Sequence, residues 1–395
     1  LDVTATVNTA SVTASELLAV TARTNGLITL GSSVANISGT ATDIASVFSA
    51  SAAGTSISGL AKTVTVGISG TTTVSDLNTV SGLTTGTLSG TVKDSIDNLL
   101  GITETTNNLT LVVNDTVIDA AKLITLDAKM SEVINFASES TTLSGKLADI
   151  STVLGAAGID SEQANDGLGL KAVTVTDSIT KDQLNALDDI TEGAITATIS
   201  DTTLDKLKLL ADDHTNNKVS VTITGNTASD ASILADDVET VIGKTAGMVT
   251  IDSSVTKMTG DMDHVTAVVN ANDTTPSITG LSTLAVEING AKTVAGNTIA
   301  AINNVIEKAG IVTATAYSND GTNELLKLDE LIDATNKTTG LQGTGNKINI
   351  TINSDASGTT ATKANTQILN AASLTDLNSK TTGLITVGAN LTKIQ

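Results

Sequence analysis

One short unit recurs along this chain and limits what the chain can fold into. A turn of the form Thr-x-Gly precedes a run rich in β-branched residues, and a segment with Leu or Ile at every third or fourth position follows. Self-similarity at a period of a few tens of residues is typical of stacked repeat architectures and predicts a solenoid rather than a compact enzyme domain. The turn occurs at Thr24-Asn25-Gly26, Thr84-Thr85-Gly86, Thr191-Glu192-Gly193, Thr245-Ala246-Gly247, Thr338-Thr339-Gly340 and Thr381-Thr382-Gly383.

Each unit contains one predicted strand and one predicted short helix. The strands are runs of Val, Ile and Thr with a period of two, as in 173–176, 195–199 and 219–223. In the helices, apolar residues spaced by three and four lie on one face. Strand, helix and strand in a regular cycle predict parallel strands with right-handed crossovers. The clearest helical sets are Leu184, Leu187 and Ile190; Leu204, Leu207 and Leu210; Leu234, Val238 and Ile242; and Leu325, Leu328 and Leu331.

These patterns predict an α/β-solenoid with one parallel strand and one short helix in each coil of about 25–33 residues. An all-β parallel β-helix is the alternative fold. With two Phe, one Tyr and no Trp, the interior is expected to be thin and aliphatic. We expect residues 1–395 to form a single elongated array, a segment of a longer chain, with irregular coils around 87–172 and an insertion near 353–365.

The charge balance restricts the partners of this chain. A formal net charge of −21 disfavours nucleic acid and anionic membranes, because both bind clustered Lys and Arg. No apolar run reaches the roughly 18–20 residues that a transmembrane helix needs. The absence of Cys is compatible with an extracellular bacterial protein. We therefore expect a location at the bacterial cell surface.

Pairs of acidic residues form the sharpest local pattern. In a solenoid, equal spacing would place these carboxylates in one column on neighbouring coils, where Ca²⁺ could bind their oxygen atoms. The alternative is a solvated acidic stripe at the helix ends, and no EF-hand or RTX-type loop accompanies the pairs. The only two histidines, His214 and His264, adjoin these acids. The candidate calcium ligands are Asp188 with Asp189, Asp212 with Asp213 and Asp236 with Asp237, at intervals of 24 residues, followed by Asp261 and Asp263.

No catalytic residues are predicted. Polysaccharide-cleaving β-helix enzymes use carboxylates together with a cation, and this chain has a single arginine, Arg23, and few aromatic side chains on which a sugar could stack. No Gly-x-Ser-x-Gly nucleophile motif occurs. We therefore expect a protein that is not an enzyme, and keep a polysaccharide-acting enzyme as a remote alternative.

The sequence resembles giant repetitive cell-surface proteins of bacteria, such as the Thr/Ala/Gly/Asp-rich adhesin-like or motility-associated arrays of marine cyanobacteria. The resemblance rests on the Val-Thr-Val-Thr and Ile-Thr-Ala-Thr runs, the Thr-Thr-Gly turns, and the triplets Asp76-Leu77-Asn78, Gln183-Leu184-Asn185 and Asp376-Leu377-Asn378. The resemblance covers most of the chain and concerns its composition and repeat pattern rather than one specific motif. It implies an extracellular structural or adhesive role without catalytic residues.

Together these observations predict a structural extracellular protein that forms a filament, sheath or surface array. Coils would stack and pair through their open strand edges, so self-association is the expected interaction. Surface glycans and divalent cations are the other candidate partners. The alternative is the stalk of a bacterial adhesin or phage-like fibre that presents a binding tip outside this segment.

Overall fold

The computed structural model describes residues 2–103, 108–129, 134–155, 167–211, 217–271, 278–293, 296–317, 346–352 and 371–387. The chain divides into two compact units, with residues 1–177 and 187–195 in unit 1 and residues 178–186 and 196–395 in unit 2. This division does not test the expected single elongated array over 1–395, which stays a prediction. The expected insertion near 353–365 lies outside the described residues.

Strands and short helices alternate through unit 1. Its strands are β1 (Ala5–Val7), β2 (Ser11–Thr13), β3 (Ile28–Leu30), β4 (Asn36–Gly39), β5 (Ile57–Ser58), β6 (Thr65–Thr72), β7 (Leu88–Asp94), β8 (Asn108–Val113), β9 (Val117–Asp119), β10 (Ile134–Phe136), β11 (Thr142–Gly145) and most of β12 (Ala172–Ile179). Its helices are α1 (Ala14–Thr21), α2 (Ala41–Ala53), α3 (Val74–Ser81), α4 (Ile96–Leu99), α5 (Ala120–Lys129), α6 (Leu147–Leu154) and a 3-10 turn at Leu168–Leu170.

The boundary between the units falls within β12, α7 (Lys181–Asp188) and β13 (Ile195–Ile199). The further strands of unit 2 are β14 (Lys218–Ile223), β15 (Ser232–Leu234), β16 (Val249–Ile251), β17 (Lys257–Gly260), β18 (Ile278–Thr279), β19 (Ala285–Thr293), β20 (Val312–Tyr317), β21 (Lys347–Ile352) and β22 (Ile385–Val387). Its further helices are α8 (Leu204–Leu207), α9 (Ala235–Gly243), α10 (Met262–Asn270), α11 (Gly296–Lys308) and α12 (Ala371–Lys380).

The strands belong to four parallel sheets. Unit 1 contains a three-stranded sheet in the order β1-β3-β5 and a six-stranded sheet in the order β10-β8-β7-β6-β4-β2. A seven-stranded sheet has the order β9-β11-β12-β13-β14-β16-β18. Unit 2 also contains a six-stranded sheet in the order β15-β17-β19-β20-β21-β22.

The predicted α/β-solenoid with one parallel strand per coil is wrong, and so is the alternative all-β parallel β-helix. The described residues form four separate parallel sheets, none closed or curled, together with 12 α-helices. The solenoid prediction fails because the chain makes a tight turn at Gly31, after β3, and then forms a second strand, β4, instead of a helix. β3 pairs with β1 and β5, whereas β4 pairs with β2 and β6.

The expectation of a filament was derived from the solenoid prediction, so it is no longer supported by the fold. The chain is a multi-sheet α/β protein and not a repeat solenoid, and the described residues give no indication of a filament or an extracellular location. No helix in the described part of the chain is both long enough and apolar enough to cross a membrane.

The core is aliphatic, as predicted. Strand alternation turns Ile28 and Leu30 inward at 1% and 3% exposure, while Thr29 between them is exposed. The same alternation buries Val219, Val221 and Ile223 in β14. Burial of such side chains contributes about 1.5–3 kcal/mol each and is the main term that stabilises both units.

Two of the predicted helical faces are confirmed in full or in part. Leu204, Leu207 and Leu210 are all buried, and so are Leu184 and Leu187, but Ile190 lies past the end of α7 and is exposed. The set Leu325, Leu328 and Leu331 lies outside the described residues.

The face predicted for α9 is confirmed at Val238 but wrong at Leu234 and Ile242. Leu234 is 45% exposed because it is the last residue of β15, where alternation buries Ile233 instead. The helix begins one residue later, and its buried face consists of Ala235, Val238 and Val241.

Candidate functional site

The acidic residues predicted as calcium ligands occupy different helix ends. Asp188 is the last residue of α7, with Asp189 in the turn after it, whereas Asp236 and Asp237 lie in the first turn of α9. Although these aspartates are equally spaced in the sequence, they do not occupy equivalent positions on their helices, because the turns between them differ in length. Asp261 caps the N-terminus of α10 and Asp263 lies in its first turn, and Asp212, Asp213 and His214 are outside the described residues.

His264 gathers carboxylates from two helices. Its Nδ1 lies 2.7 Å from Oε2 of Glu239 and 3.7 Å from Oδ1 of Asp236, both on α9. Its Nε2 lies 3.7 Å from Oδ2 of Asp261. The hydrogen bond with Glu239 raises the pKa of His264 above its ordinary value of 6.5, against a smaller opposing effect of desolvation. The contact between α9 and α10 is therefore strongest below pH 6.5 and weakens as the pH rises through the raised pKa.

A lysine neutralises another of the predicted calcium ligands. Nζ of Lys208, which ends α8, lies 2.8 Å from Oδ1 of Asp237, whose side chain is only 13% exposed. Within the described ranges, no group of three or more His, Asp or Glu side chains is arranged to hold a metal ion. Calcium binding at the eight predicted aspartates, of which Asp212 and Asp213 lie outside the described residues, stays a prediction.

The Thr-x-Gly turn forms a recurrent hydrogen-bonded joint between successive strands. In its best-formed copy, Oγ1 of Thr245 donates toward the backbone oxygen of Val219 (2.7 Å). The same Oγ1 accepts from the N–H groups of Val219 (2.9 Å) and Gly247 (2.8 Å). Thr245 is only 4% exposed, so these bonds are sheltered from water.

Four other copies of the turn repeat this pattern. Each threonine Oγ1 donates to a backbone oxygen within or shortly before the neighbouring strand, and it accepts from the N–H of the glycine two residues later. The pattern is seen at Thr24 with Val3 and Gly26, Thr84 with Val64 and Gly86, Thr191 with Gly169 and Gly193, and Thr381 with Ile348 and Gly383. The copy at Thr338 lies outside the described residues.

The glycine is needed because the neighbouring backbone occupies the space of a side chain. A Cβ at Gly247 would overlap the carbonyl oxygen of Val219 and lie 2.5 Å from its carbonyl carbon. The glycines at 26, 86, 193 and 383 meet backbone oxygen atoms in the same way. The five described copies of the turn thus share a close approach of two backbones, which the Thr hydroxyl joins by hydrogen bonds.

Aspartates at strand ends cap the preceding helix, a role that the sequence analysis missed. Oδ2 of Asp201 accepts a 2.9 Å hydrogen bond from the N–H of Lys181, the first residue of α7. The other three examples are Asp94 with the N–H of Val74, Asp115 with Ile96 and Asp177 with Leu147. Part of the acidic composition therefore serves to cap helices.

Replacement of Asp201 by Ala should lower the free energy of unfolding by about 1–2 kcal/mol at neutral pH. The backbone bond from Lys181 and the ion pair with Lys206 lower the pKa of Asp201 from 3.8. A depressed pKa stabilises the protein above the unfolded-state pKa, and this contribution is lost as the pH falls through the folded-state pKa. In urea unfolding, the difference between the free energies of unfolding of the wild type and the variant should therefore shrink as the pH falls below 3.8.

Asp182 supplies the matched control, since it lies on the same helix with its side chain 81% exposed. Asp182→Ala should change stability by less than about 0.5 kcal/mol. An equal loss in both variants would show that the effect comes from net charge and not from the cap at Asp201.

The Asn residues of two of the recurrent triplets join a helix to the segment that follows the next helix. Nδ2 of Asn185 donates to the backbone oxygen of Leu209, and its Oδ1 accepts from the N–H of Ala211, both at 3.1 Å. Asn78 makes the corresponding bond to the backbone oxygen of Gly101. The triplets thus serve as structural links.

A shallow groove of about 670 Å³ lies along α2 and reaches α3. Its lining consists of small side chains and one carboxylate, Asp76, which accepts a hydrogen bond from Oγ1 of Thr73 at 2.9 Å. The carboxylate thus takes part in capping α3. Its lining residues are Ala41, Thr42, Ala45, Ser46, Ser49, Ala50, Ala53, Thr55, Asp76 and Thr79.

Comparison with protein-family models, with curated proteins and with solved structures finds no match to this chain. Its function is therefore inferred from its own residues.

Proposed function

We propose that this chain is a structural protein that associates with further copies of itself through the open strand edge at β1. The observation that carries the proposal is an exposed end of the apolar core at β1. Ala5 and Val7 pair in register with Ile28 and Leu30 of β3. Ala5 is nevertheless exposed and Val7 half-buried, whereas Ile28 and Leu30 are buried. Covering this end would remove apolar surface from water.

The backbone of the same strands offers unpaired groups. Ala5 donates its N–H to the oxygen of Leu27, and the oxygen of Val7 accepts from Gly31, so both residues face β3. Because successive residues of a strand point their backbone groups to opposite sides, the N–H and C=O of Thr6 face the open edge. An open edge of this kind can pair with another strand.

A further valine extends the apolar part of this surface. Val3, just before β1, is 55% exposed. β1 and β2 each contain three residues, so each edge can form only a few hydrogen bonds. Short edges pair weakly. We therefore expect association that depends on protein concentration and on the valines as well as the strand.

Sedimentation velocity over a series of protein concentrations tests this proposal. The wild type should form larger species as the concentration rises, and negative-stain images should show assemblies. The double variant Val3→Lys, Thr6→Pro should weaken association by roughly tenfold or more, because it adds a charge and removes one outward N–H. The ladder bond of Ala5 is retained, so circular dichroism should match that of the wild type.

Val117→Lys is the matched control. Val117 is also 55% exposed and begins β9, another edge strand of unit 1. Association should be unchanged in this variant. A wild type that stays monomeric at every concentration would contradict the proposal and would favour the alternative, a stalk that presents a binding tip elsewhere.

A further inference from the structure

We draw no further inference here: the strongest candidate, the side-chain cluster between α9 and α10 that joins His264 to Glu239, Asp236 and Asp261, carries nothing because His264 adjoins the candidate calcium ligands Asp261 and Asp263, and its titration cannot be separated from the state of that site.

Discussion

Replacement of Gly247 by Ala is expected to lower the free energy of unfolding by about 3 kcal/mol. The new Cβ would overlap the carbonyl oxygen of Val219 and lie 2.7 Å from its nitrogen. Both obstacles are backbone atoms, so no side-chain rotation can relieve them. The strands β14 and β16 would have to separate locally, and equilibrium unfolding in urea measures the cost.

Gly243 provides a control four residues earlier in the chain. It is the last residue of α9, and a Cβ built there meets no atom within 4 Å. Gly243→Ala should leave stability unchanged or raise it by up to about 1 kcal/mol, because Ala restricts the unfolded chain. Similar losses in both variants would contradict the close-approach explanation for Gly247.

Replacement of Thr245 by Val is expected to destabilise the protein by about 2–4 kcal/mol. Valine keeps the shape of the side chain but removes the oxygen that accepts from the N–H groups of Val219 and Gly247. Leaving a buried donor without a partner costs about 1–3 kcal/mol. The loss should appear in urea unfolding with little change in far-ultraviolet circular dichroism.

Thr240→Val tests whether any Thr-to-Val change in this region has the same effect. Thr240 lies on the exposed side of α9, and its hydroxyl donates only to the backbone oxygen of Asp236 within the same helix. Its replacement should cost less than about 0.5 kcal/mol. If Thr245→Val cost no more than Thr240→Val, the hydroxyl of the turn would have no structural role.

The Thr-x-Gly turn was recognisable from the sequence because its chemistry is local. Thr and Gly are two residues apart and bond to each other at every described copy, so the same short pattern recurs wherever the joint is needed. The strand that follows begins at a fixed distance, as at Ile28, Ile195 and Val249. The sequence therefore located these strands correctly.

The division into four sheets was not recognisable in the same way. β3 and β4 are separated by five residues, 31–35, and their β-branched residues continue with little interruption. Which sheet each strand joins depends on pairing with strands more than twenty residues away, such as Ile37 with Val66. A periodic sequence pattern shows how many repeat units the chain has, but it does not show how many strands each unit contains.

The acidic residues show the same limit for the candidate site. The capping role of Asp201 was missed because the helix that it caps begins at Lys181, twenty residues earlier. The 24-residue spacing that runs from Asp188 through Asp212 to Asp236 was conspicuous. Asp188 and Asp236 nevertheless occupy opposite ends of their helices. Spacing along the chain has meaning for a site only when the loops between its members have equal lengths.

Amide hydrogen exchange at Val219 and Gly247 tests most directly whether the Thr-x-Gly turns join successive strands. In the wild type both N–H groups should be strongly protected, because both donate to Oγ1 of Thr245. In Thr245→Val both should exchange at least about tenfold faster, while Val238 in the core of α9 keeps its protection. Unchanged protection at Val219 and Gly247 in that variant would contradict the account.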